Sequence, residues 1–343
     1  MMTFSSDYTF KQLPLARPFA IARGTRTAID VVRVTLSDGS HHVTAEATPT
    51  PRYGDTCEAV EQALQHYQPL LLQQLNNHGQ VTVAKEWLSA NMAAGTARNA
   101  LDCALWLLEA KQQHTSLEKL VAQALDEPPL TYEQIETVQT VGIDSPAAMA
   151  LDARAQFDKG IRLLKIKLNG EQIEERMRAI RRAVPEARLV VDANEAFTAT
   201  DLPLTLELLA SLGVEMVEQP LPAGQDNLPV EARQIVPLCA DESAHTADDL
   251  PLLLECGYRM INIKLDKCGG ISEAIKLINA ARHYGLDIMV GCMLGSSLAM
   301  RCALPIAARA SLVDLDGPTW LAHDAAPALV FHAGQISGMN MAD

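Results

Sequence analysis

The pattern of apolar and polar positions divides the 343-residue chain into two parts. Residues 27–49 alternate apolar and polar side chains on both sides of Asp38-Gly39, which is typical of a β-hairpin. Helical spacing of apolar residues follows at about 58–75, at 84–92, and from 96 or 97 to 111. The first part therefore reads as strands followed by helices. The segment TPTPRYGDT between them is rich in Pro and Gly, and loops of this kind often carry function.

From about residue 135, eight short apolar segments alternate with helical stretches. They are TVQTVGI, LLKIKL, RLVVDAN, EMVEQPL, LCADES, MINIKL, DIMVGCM and SLVDLDG. Polar or small residues recur near their C-terminal ends at intervals of 23 to 27 residues, from Lys167 to Asp314. This spacing fits one strand, one helix and two loops. The eight units predict an α/β fold, a parallel (β/α)8 barrel of the TIM type, with its chemistry at the C-terminal strand ends.

Three carboxylates follow apolar runs on three successive predicted strands: Asp192, Glu218 and Asp241. Single acids of this kind are also found as helix caps or loop residues. Three that converge raise each other's pKa, so they stay ionised only with a cation between them. Oxygen ligands without Cys or His favour Mg²⁺ or Mn²⁺ over Zn²⁺. The sequence therefore predicts a divalent metal site.

Two lysines flank this trio, Lys167 on the strand before it and Lys264 on the strand after it. Lone lysines in barrels often form structural ion pairs. In a closed barrel, however, these two amines lie on opposite sides of the metal, with room for the α-carbon of a bound carboxylate between them. Lys165 points to the same face as Lys167 because side chains alternate along a strand. We therefore predict removal of a proton from one face and its return to the other.

The last predicted strand contributes Asp314 and Asp316 in LVDLDGP, on one face and remote from the metal. Two carboxylates at the mouth of a barrel suit an ammonium group. The same D-x-D-G-P pattern is equally typical of an ordinary turn.

Composition narrows the class of protein further. Hydrophobic residues make up 48% of the chain, and 42 acidic against 28 basic residues give a formal charge of −14. The sequence has no basic cluster interleaved with aromatic residues, which argues against nucleic acid as a partner. Seven scattered cysteines without a C-x-x-C pair indicate a reducing compartment. With no apolar signal segment and no apolar run of bilayer length, we expect a cytoplasmic protein without a membrane partner.

With these residues in place, the chain resembles the enolase superfamily, in its muconate-lactonizing subgroup, through KIK, VDAN, VEQPLP, CADES, NIKLDKCGG and DLDGP. FAIARGTR, TPRYGD, ARNALDCALW and DLDGPTWLA extend the resemblance to dipeptide epimerases, particularly bacterial L-Ala-D/L-Glu epimerases associated with murein peptide recycling. It implies an α+β capping domain at 1–125, to which a tail at 326–343 returns, and a catalytic barrel at 126–325. It also implies Mg²⁺, with Mn²⁺ as a substitute, and a dipeptide substrate.

The resemblance further implies a role for each matching residue. Lys167 and Lys264 would be the acid/base pair of a two-base 1,1-proton transfer at the glutamyl α-carbon, and Asp192, Glu218 and Asp241 the metal ligands. Asp314 and Asp316 would hold the ammonium group of the dipeptide. Arg26, in the loop ARGTR, would pair with the γ-carboxylate, although Arg23 or Arg52 competes for this role and Arg26 also fits a solvated loop charge. The remaining substrate contacts would be Thr140, Lys165, Cys292 and Met293.

Two other functions remain open at this point. An o-succinylbenzoate synthase or a lactonizing cycloisomerase uses the same lysines and metal, but its substrate carries no ammonium group for the D-x-D pair. A non-catalytic metal-binding barrel has no need of two lysines placed as bases. The sequence leaves the oligomeric state open, including a homo-oligomer, as well as the breadth of dipeptide specificity.

Overall fold

The cap opens with a strand that the hydrophobic pattern did not reveal. In this computed structural model, which describes residues 3–21 and 24–338, β1 (Ser5–Ile21) pairs antiparallel with β2 (Gly24–Ser37), and β2 with β3 (His42–Ala47). The predicted β2–β3 hairpin is confirmed, and Gly39 at its turn has a φ of +90°. Pro14 and Pro18 weaken the strand signal of β1, whose register shifts between Pro14 and Phe19.

Four helices complete the cap: α1 (Cys57–His78), α2 (Val81–Asn91), α3 (Thr96–Gln112) and α4 (Leu117–Ala124). The first three are confirmed to within three residues at each end, and α4 was not predicted. The Thr56 side chain caps α1 by accepting a hydrogen bond from the Ala59 N–H. Nearly every residue of α3 is buried, since this helix lies between the other cap elements and the barrel.

All eight predicted barrel strands form. After β4 (Ile135–Glu136), the elements are β5 (Gln139–Val141), α5 (Pro146–Asp158), β6 (Leu163–Lys167), α6 (Ile173–Ala183), β7 (Arg188–Asp192), α7 (Leu202–Ser211), β8 (Val214–Glu218), β9 (Leu238–Ala240), α8 (Leu250–Cys256), β10 (Met260–Ile263), α9 (Leu265–Cys268), α10 (Ile271–Tyr284), β11 (Asp287–Gly291), α11 (Ser297–Ala307) and β12 (Leu312–Asp314). Strands β5 to β12 pair in parallel in chain order. A backbone hydrogen bond of 2.9 Å from Val138 N to Val313 O closes the barrel.

The connections depart from a regular (β/α)8 pattern at two places. A 3₁₀ turn at Val230–Gln234 stands between β8 and β9, and another at Gly317–Trp320 follows β12. The (β/α)8 architecture is thus confirmed, but in these two units a 3₁₀ turn stands where the repeat predicts an α-helix.

The tail was expected to return to the cap, but its strands pair elsewhere. Strands β13 (Val330–His332) and β14 (Gln335–Ser337) form a hairpin, and β14 pairs with β4 ahead of the first barrel strand. Contact with the cap is made just earlier, where Leu321 bridges to Leu15 of β1. Residues 339–343 lie outside the described residues. The domain boundaries at 125 and 325 stay a prediction.

The barrel interior changes from apolar to polar along each strand. Eight side chains form its apolar layer, one for each barrel strand: Val138, Leu163, Val190, Met216, Cys239, Met260, Met289 and Leu312. Side chains of a strand alternate between faces, so the residues two positions further along also point inward. These are the positions of Thr140, Lys165, Asp192, Glu218, Asp241, Asn262, Gly291 and Asp314. The alternation thus places the candidate functional side chains directly above the apolar layer.

No helix in residues 3–21 and 24–338 combines the length and the apolar character required to cross a membrane.

Candidate active site

Three carboxylates form the centre of the site, and we refer to Asp192, Glu218 and Asp241 as the acid cluster. Asp192 and Glu218 end β7 and β8, where they are register partners, and Asp241 directly follows β9. None of the three is more than 1% exposed. The three acids therefore lie buried at the ends of neighbouring strands, and their common role stays a prediction.

Lys165 lies inside the acid cluster. Its ammonium nitrogen is 2.5 Å from Glu218 Oε2, 2.6 Å from Asp314 Oδ2 and 3.0 Å from Asp192 Oδ2. Asp314 was expected to be remote from the metal ligands, and this was wrong because Lys165 reaches both groups of acids. Burial lowers the pKa of Lys165, but Asp192 and Asp314 more than offset this and hold it well above its usual value.

Lys167 and Lys264 lie on opposite walls. Lys167 Nζ donates to Asp192 Oδ2 at 2.5 Å and to Asn194 Oδ1 at 3.2 Å, whereas Lys264 Nζ donates to Asp241 Oδ2 at 2.7 Å. Their strands, β6 and β10, are four positions apart in the eight-stranded sheet, which is half of its circumference. Both side chains point to the acid cluster, so the arrangement expected of two facing amines is present. Their roles as acid and base stay a prediction.

A fourth lysine was missed by the sequence reasoning. Lys267 Nζ lies 2.6 Å from Asp241 Oδ1 and donates to the carbonyl oxygens of Ala244 and Asn262 at 2.9 and 3.0 Å. Asp241 is thus held between Lys264 and Lys267 through its two oxygens. The repeated lysine in NIKLDK was the available signal, but its partners are backbone carbonyl oxygens, which residue types do not reveal.

The charges of the site are not balanced. Five carboxyl groups, the acid cluster with Asp314 and Asp316, face the four ammonium groups described above. Burial, and next the charge of Asp192, raise the pKa of Glu218 to about 8. Asp192 and Asp241 have pKa values below their usual range, since neighbouring lysines outweigh the effect of burial. One further cation would allow all the acids to ionise.

The acid cluster fits Mg²⁺ by its chemistry. It offers only oxygen donors, as hard divalent cations prefer. Glu218 Oε2 and Asp241 Oδ1 are buried and accept no hydrogen bond, although the ammonium nitrogens of Lys165 and Lys267 are within ionic distance. Within the described ranges, no three His, Cys, Asp or Glu residues have the mutual arrangement of a metal site. Ammonium groups lie between the carboxylates, and the roles of the three acids as ligands stay a prediction.

Above the acid cluster lies a cavity of about 510 Å³ that the cap closes on one side. Its cap wall contains Arg26 and residues 50–53. We call residues 50–53 the roof segment. The segment TPTPRYGDT, a loop of the kind that often carries function, thus borders this cavity. Cys292 and Met293, which follow β11, line the same cavity, and burial raises the pKa of the Cys292 thiol.

The three competing arginines differ in their surroundings. Arg26 was expected in a loop, but it lies in β2, where its exposed side chain lines the cavity. The guanidinium of Arg52 is bound to Glu195, with Nε at 2.9 Å and Nη2 at 2.5 Å from its carboxylate oxygens. Arg23 lies outside the described residues. A fork already filled by Glu195 is a poorer receptor for a second carboxylate, which favours Arg26 over Arg52.

The D-x-D pair faces the cavity beside Thr140. Asp316 Oδ2 accepts hydrogen bonds from Thr140 N at 2.8 Å, Gln139 Nε2 at 3.2 Å and Trp320 Nε1 at 3.3 Å. Burial and the neighbouring Asp314 raise the pKa of Asp316 to about 6. Two close acids with this repulsion favour a cationic group between them. Their role in substrate binding stays a prediction.

Gly291 leaves space for Lys264, and filling that space should lower activity. A Cβ at this position would lie 2.7 Å from Asn262 Oδ1 and 3.0 Å from Lys264 Cε. We expect Gly291→Ala to lower kcat for the reaction proposed below about 10- to 100-fold, because Asn262 and Lys264 are both displaced. Gly79→Ala, with no atom within 4 Å of the new Cβ, should leave kcat unchanged. Unaltered turnover in Gly291→Ala would show that Lys264 needs no such space.

Fold and site together define a class of enzyme. A parallel barrel with buried acids between two facing lysines suits metal-assisted proton transfer at a carbon beside a carboxylate. Residues 148–337 match the family described as enolase C-terminal domain-like, and residues 6–122 match the N-terminal domain of mandelate racemase and muconate lactonizing enzyme. The chain therefore belongs to the mandelate racemase and muconate lactonizing enzyme family of the enolase superfamily.

Individual relatives narrow the comparison. The chain is 46% identical over 323 residues to an L-Ala-D/L-Glu epimerase of Escherichia coli (strain K12), covering 94% of this chain and 96% of that protein. It is 44% identical over 246 residues to an N-acetyl-D-glutamate racemase of a Pseudoalteromonas species, covering 72% and 75%. A solved dipeptide epimerase of Methylococcus capsulatus, complexed with Mg and L-Arg-D-Lys, has 30% identity and a TM-score of 0.86, with 98% and 97% covered. These relatives are isomerases, as the resemblance implied.

Proposed function

We propose that this protein is an Mg²⁺-dependent dipeptide epimerase that interconverts L-Ala-L-Glu and L-Ala-D-Glu. The observation that carries the proposal is the placement of Lys167 and Lys264 on opposite walls of the acid cluster. The similarity to the Escherichia coli L-Ala-D/L-Glu epimerase supports the choice of dipeptide. A role in murein peptide recycling rests on the family resemblance alone.

The site orients the dipeptide by its charged groups. Asp314 and Asp316 take the N-terminal ammonium group, and Arg26 takes the γ-carboxylate from the cap side. Asp192, Glu218 and Asp241 would hold Mg²⁺, which supplies positive charge beside the substrate carboxylate and so favours loss of the neighbouring α-proton. Lys165 adds a second positive charge at this place. The α-carbon of the glutamyl residue then lies between the two facing lysines.

The reaction needs one lysine as amine and the other as ammonium. The amine takes the α-proton, so that the C–H bond breaks, an N–H bond forms and the electron pair remains on the substrate. The ammonium on the opposite wall returns a proton to the other face of the carbon, which inverts its configuration. The roof segment limits the access of water, which would otherwise compete as a proton donor.

The experiment that tests this function is a comparison of two substrates with Mg²⁺ present. We expect L-Ala-L-Glu to yield L-Ala-D-Glu, measured by chiral chromatography. N-acetyl-L-glutamate represents a second candidate function, favoured by the 44% identity to an N-acetyl-D-glutamate racemase. It carries no ammonium group for Asp314 and Asp316, so we expect kcat/KM at least about 100-fold lower, as for buried polar groups left unpaired. Equal or faster turnover of N-acetyl-L-glutamate would overturn the dipeptide assignment.

Arg26 should set the preference for an acidic side chain. We expect Arg26→Met to raise KM for L-Ala-L-Glu about 10- to 100-fold, because a charge-assisted bidentate contact contributes roughly 1.5–3 kcal/mol. For L-Ala-L-Gln, which carries no side-chain charge, KM should change less than about threefold. Arg52→Met is the matched control, since Arg52 is bound to Glu195. The assignment to Arg26 is wrong if Arg52→Met causes the larger and charge-dependent loss.

A further inference from the structure

Asp266 lies on the short helix α9, two residues after Lys264, and connects this helix to the cap. Its side chain is buried, and its Oδ1 accepts hydrogen bonds from Thr48 N and Asn99 Nδ2, both at 2.9 Å. Thr48 directly follows β3 and Asn99 belongs to α3, so both donors are cap residues. The carboxylate therefore joins the end of a barrel strand to two elements of the cap.

Thr48 extends this connection to the roof segment. Its hydroxyl donates to Leu294 O at 2.8 Å, next to Cys292 and Met293 in the cavity wall. Its own carbonyl oxygen accepts a hydrogen bond of 3.1 Å from the hydroxyl of Thr50, the first residue of the roof segment. Asp266 thus links Lys264 to the part of the cap that covers the substrate.

Helix α3 holds the same barrel segment at two more points. Arg98 Nη2 donates to Cys268 O at 2.5 Å, and Asp102 accepts hydrogen bonds from Ser272 N at 2.9 Å and Ser272 Oγ at 2.5 Å. Asp102 is buried like Asp266 and also joins cap to barrel, but at the start of α10 and away from the cavity wall. The two acids therefore form a matched pair that differs in distance from Lys264.

An ionised carboxylate is energetically unfavourable at this buried position. No Lys, Arg or His of residues 3–21 and 24–338 is paired with it at ion-pair distance, and a buried charge without a counter-ion costs free energy. Burial raises the pKa of Asp266 to about 6, although its two hydrogen bonds counter this. Hydrogen bonds to a carboxylate are shorter and stronger than those to a neutral acceptor, so this acid holds the turn firmly.

We propose that Asp266 is a positioning residue that sets the place of Lys264 relative to the roof segment, through its hydrogen bonds to Thr48 and Asn99. This rests on the proposed function. Lys167 is half of the barrel circumference away and is held by Asp192 and Asn194. Loss of Asp266 should therefore impair one of the two proton transfers and spare the other.

The test compares hydrogen–deuterium exchange of the two epimers. Each lysine removes the α-proton of one epimer, and the epimer that Lys167→Ala still exchanges identifies the one served by Lys264. In Asp266→Ala we expect exchange of that epimer in D₂O to fall about 10- to 100-fold, the effect of a displacement near 1 Å. Exchange of the other epimer should change less than about threefold, as expected for a base whose own surroundings are intact.

Asp102→Ala is the control for a merely structural effect. It removes a buried acid between the same two domains, so we expect a similar loss of thermal stability but an unchanged ratio of the two exchange rates. Asp266→Asn retains an oxygen acceptor, so its ratio of the two exchange rates should lie between those of Asp266→Ala and the parent. An Asp266→Ala protein with the parent's ratio, or with equal loss of both exchanges, would overturn the proposal.

A second variant covers the case in which Asp266→Ala does not fold. Asn99→Ala removes one of the two donors and should shift the ratio in the same direction by about three- to tenfold, in line with the loss of one hydrogen bond. An unchanged ratio of the two exchange rates in Asn99→Ala would count against the proposal. If the parent protein exchanges neither epimer, the proposed function itself fails and the role of Asp266 falls with it, which distinguishes the two failures.

Discussion

Lys167→Ala and Lys264→Ala should each abolish epimerisation but leave half of the exchange chemistry. We expect the rate of conversion of L-Ala-L-Glu to fall at least about 1000-fold, within the usual contribution of a general acid or base. Each variant keeps one lysine, which still exchanges the α-proton of the epimer that it faces. Proton NMR of both epimers in D₂O measures this, and the two variants should exchange opposite epimers.

Lys276→Ala is the control for the removal of a lysine as such. Lys276 lies on α10 with its side chain 55% exposed, paired with Glu273 at 3.0 Å. Its loss should change neither epimerisation nor exchange. If Lys167→Ala or Lys264→Ala retains epimerisation within tenfold of the parent, or both variants exchange the same epimer, the two-base assignment is wrong.

Removal of divalent metal should lower activity to below about 1% of the parent value, because positive charge at the substrate carboxylate lowers the activation barrier by several kcal/mol. Mg²⁺ or Mn²⁺ should restore it. Glu218→Gln removes one charge from the acid cluster, and we expect its apparent affinity for Mn²⁺ to be at least about 10-fold weaker, in line with loss of a charged ligand. Calorimetric titration with Mn²⁺ measures this independently of turnover.

The matched control lies on the same strand. Glu215 is on the outer face of β8, where it pairs with Arg188 at 3.0 Å and is 42% exposed. Glu215→Gln should leave Mn²⁺ affinity and activity unchanged. Full activity after chelation, or equal Mn²⁺ affinity of Glu218→Gln and the parent, would contradict the role assigned to the acid cluster.

The barrel and the centre of its site were readable from the sequence because both follow from alternation along strands. In LLKIK, Leu164 and Ile166 point outward into the main hydrophobic core. Leu163 lies in the apolar layer inside the barrel, and Lys165 lies in the acid cluster. Parallel strands in chain order carry this alternation around the barrel. A local pattern therefore predicts which side chains converge.

Features that depend on contacts between distant segments were not readable in the same way. Asp314 and Lys165 meet only because the barrel closes, and Lys267 is bound by carbonyl oxygens that no residue type specifies. The two-residue strand β4 is too short to show alternation, so its pairing with the tail was missed. The preference for Arg26 over Arg52 likewise depends on Glu195, a residue between β7 and α7 that is 143 positions from Arg52 in the sequence.

The most direct measurement is the fate of the glutamyl α-hydrogen during a single conversion in D₂O. Each molecule of L-Ala-D-Glu formed from L-Ala-L-Glu should contain one deuterium at the glutamyl α-carbon and none at the alanyl α-carbon, since only the former lies between the two amines. Product without deuterium, or label at the alanyl position, would contradict the account.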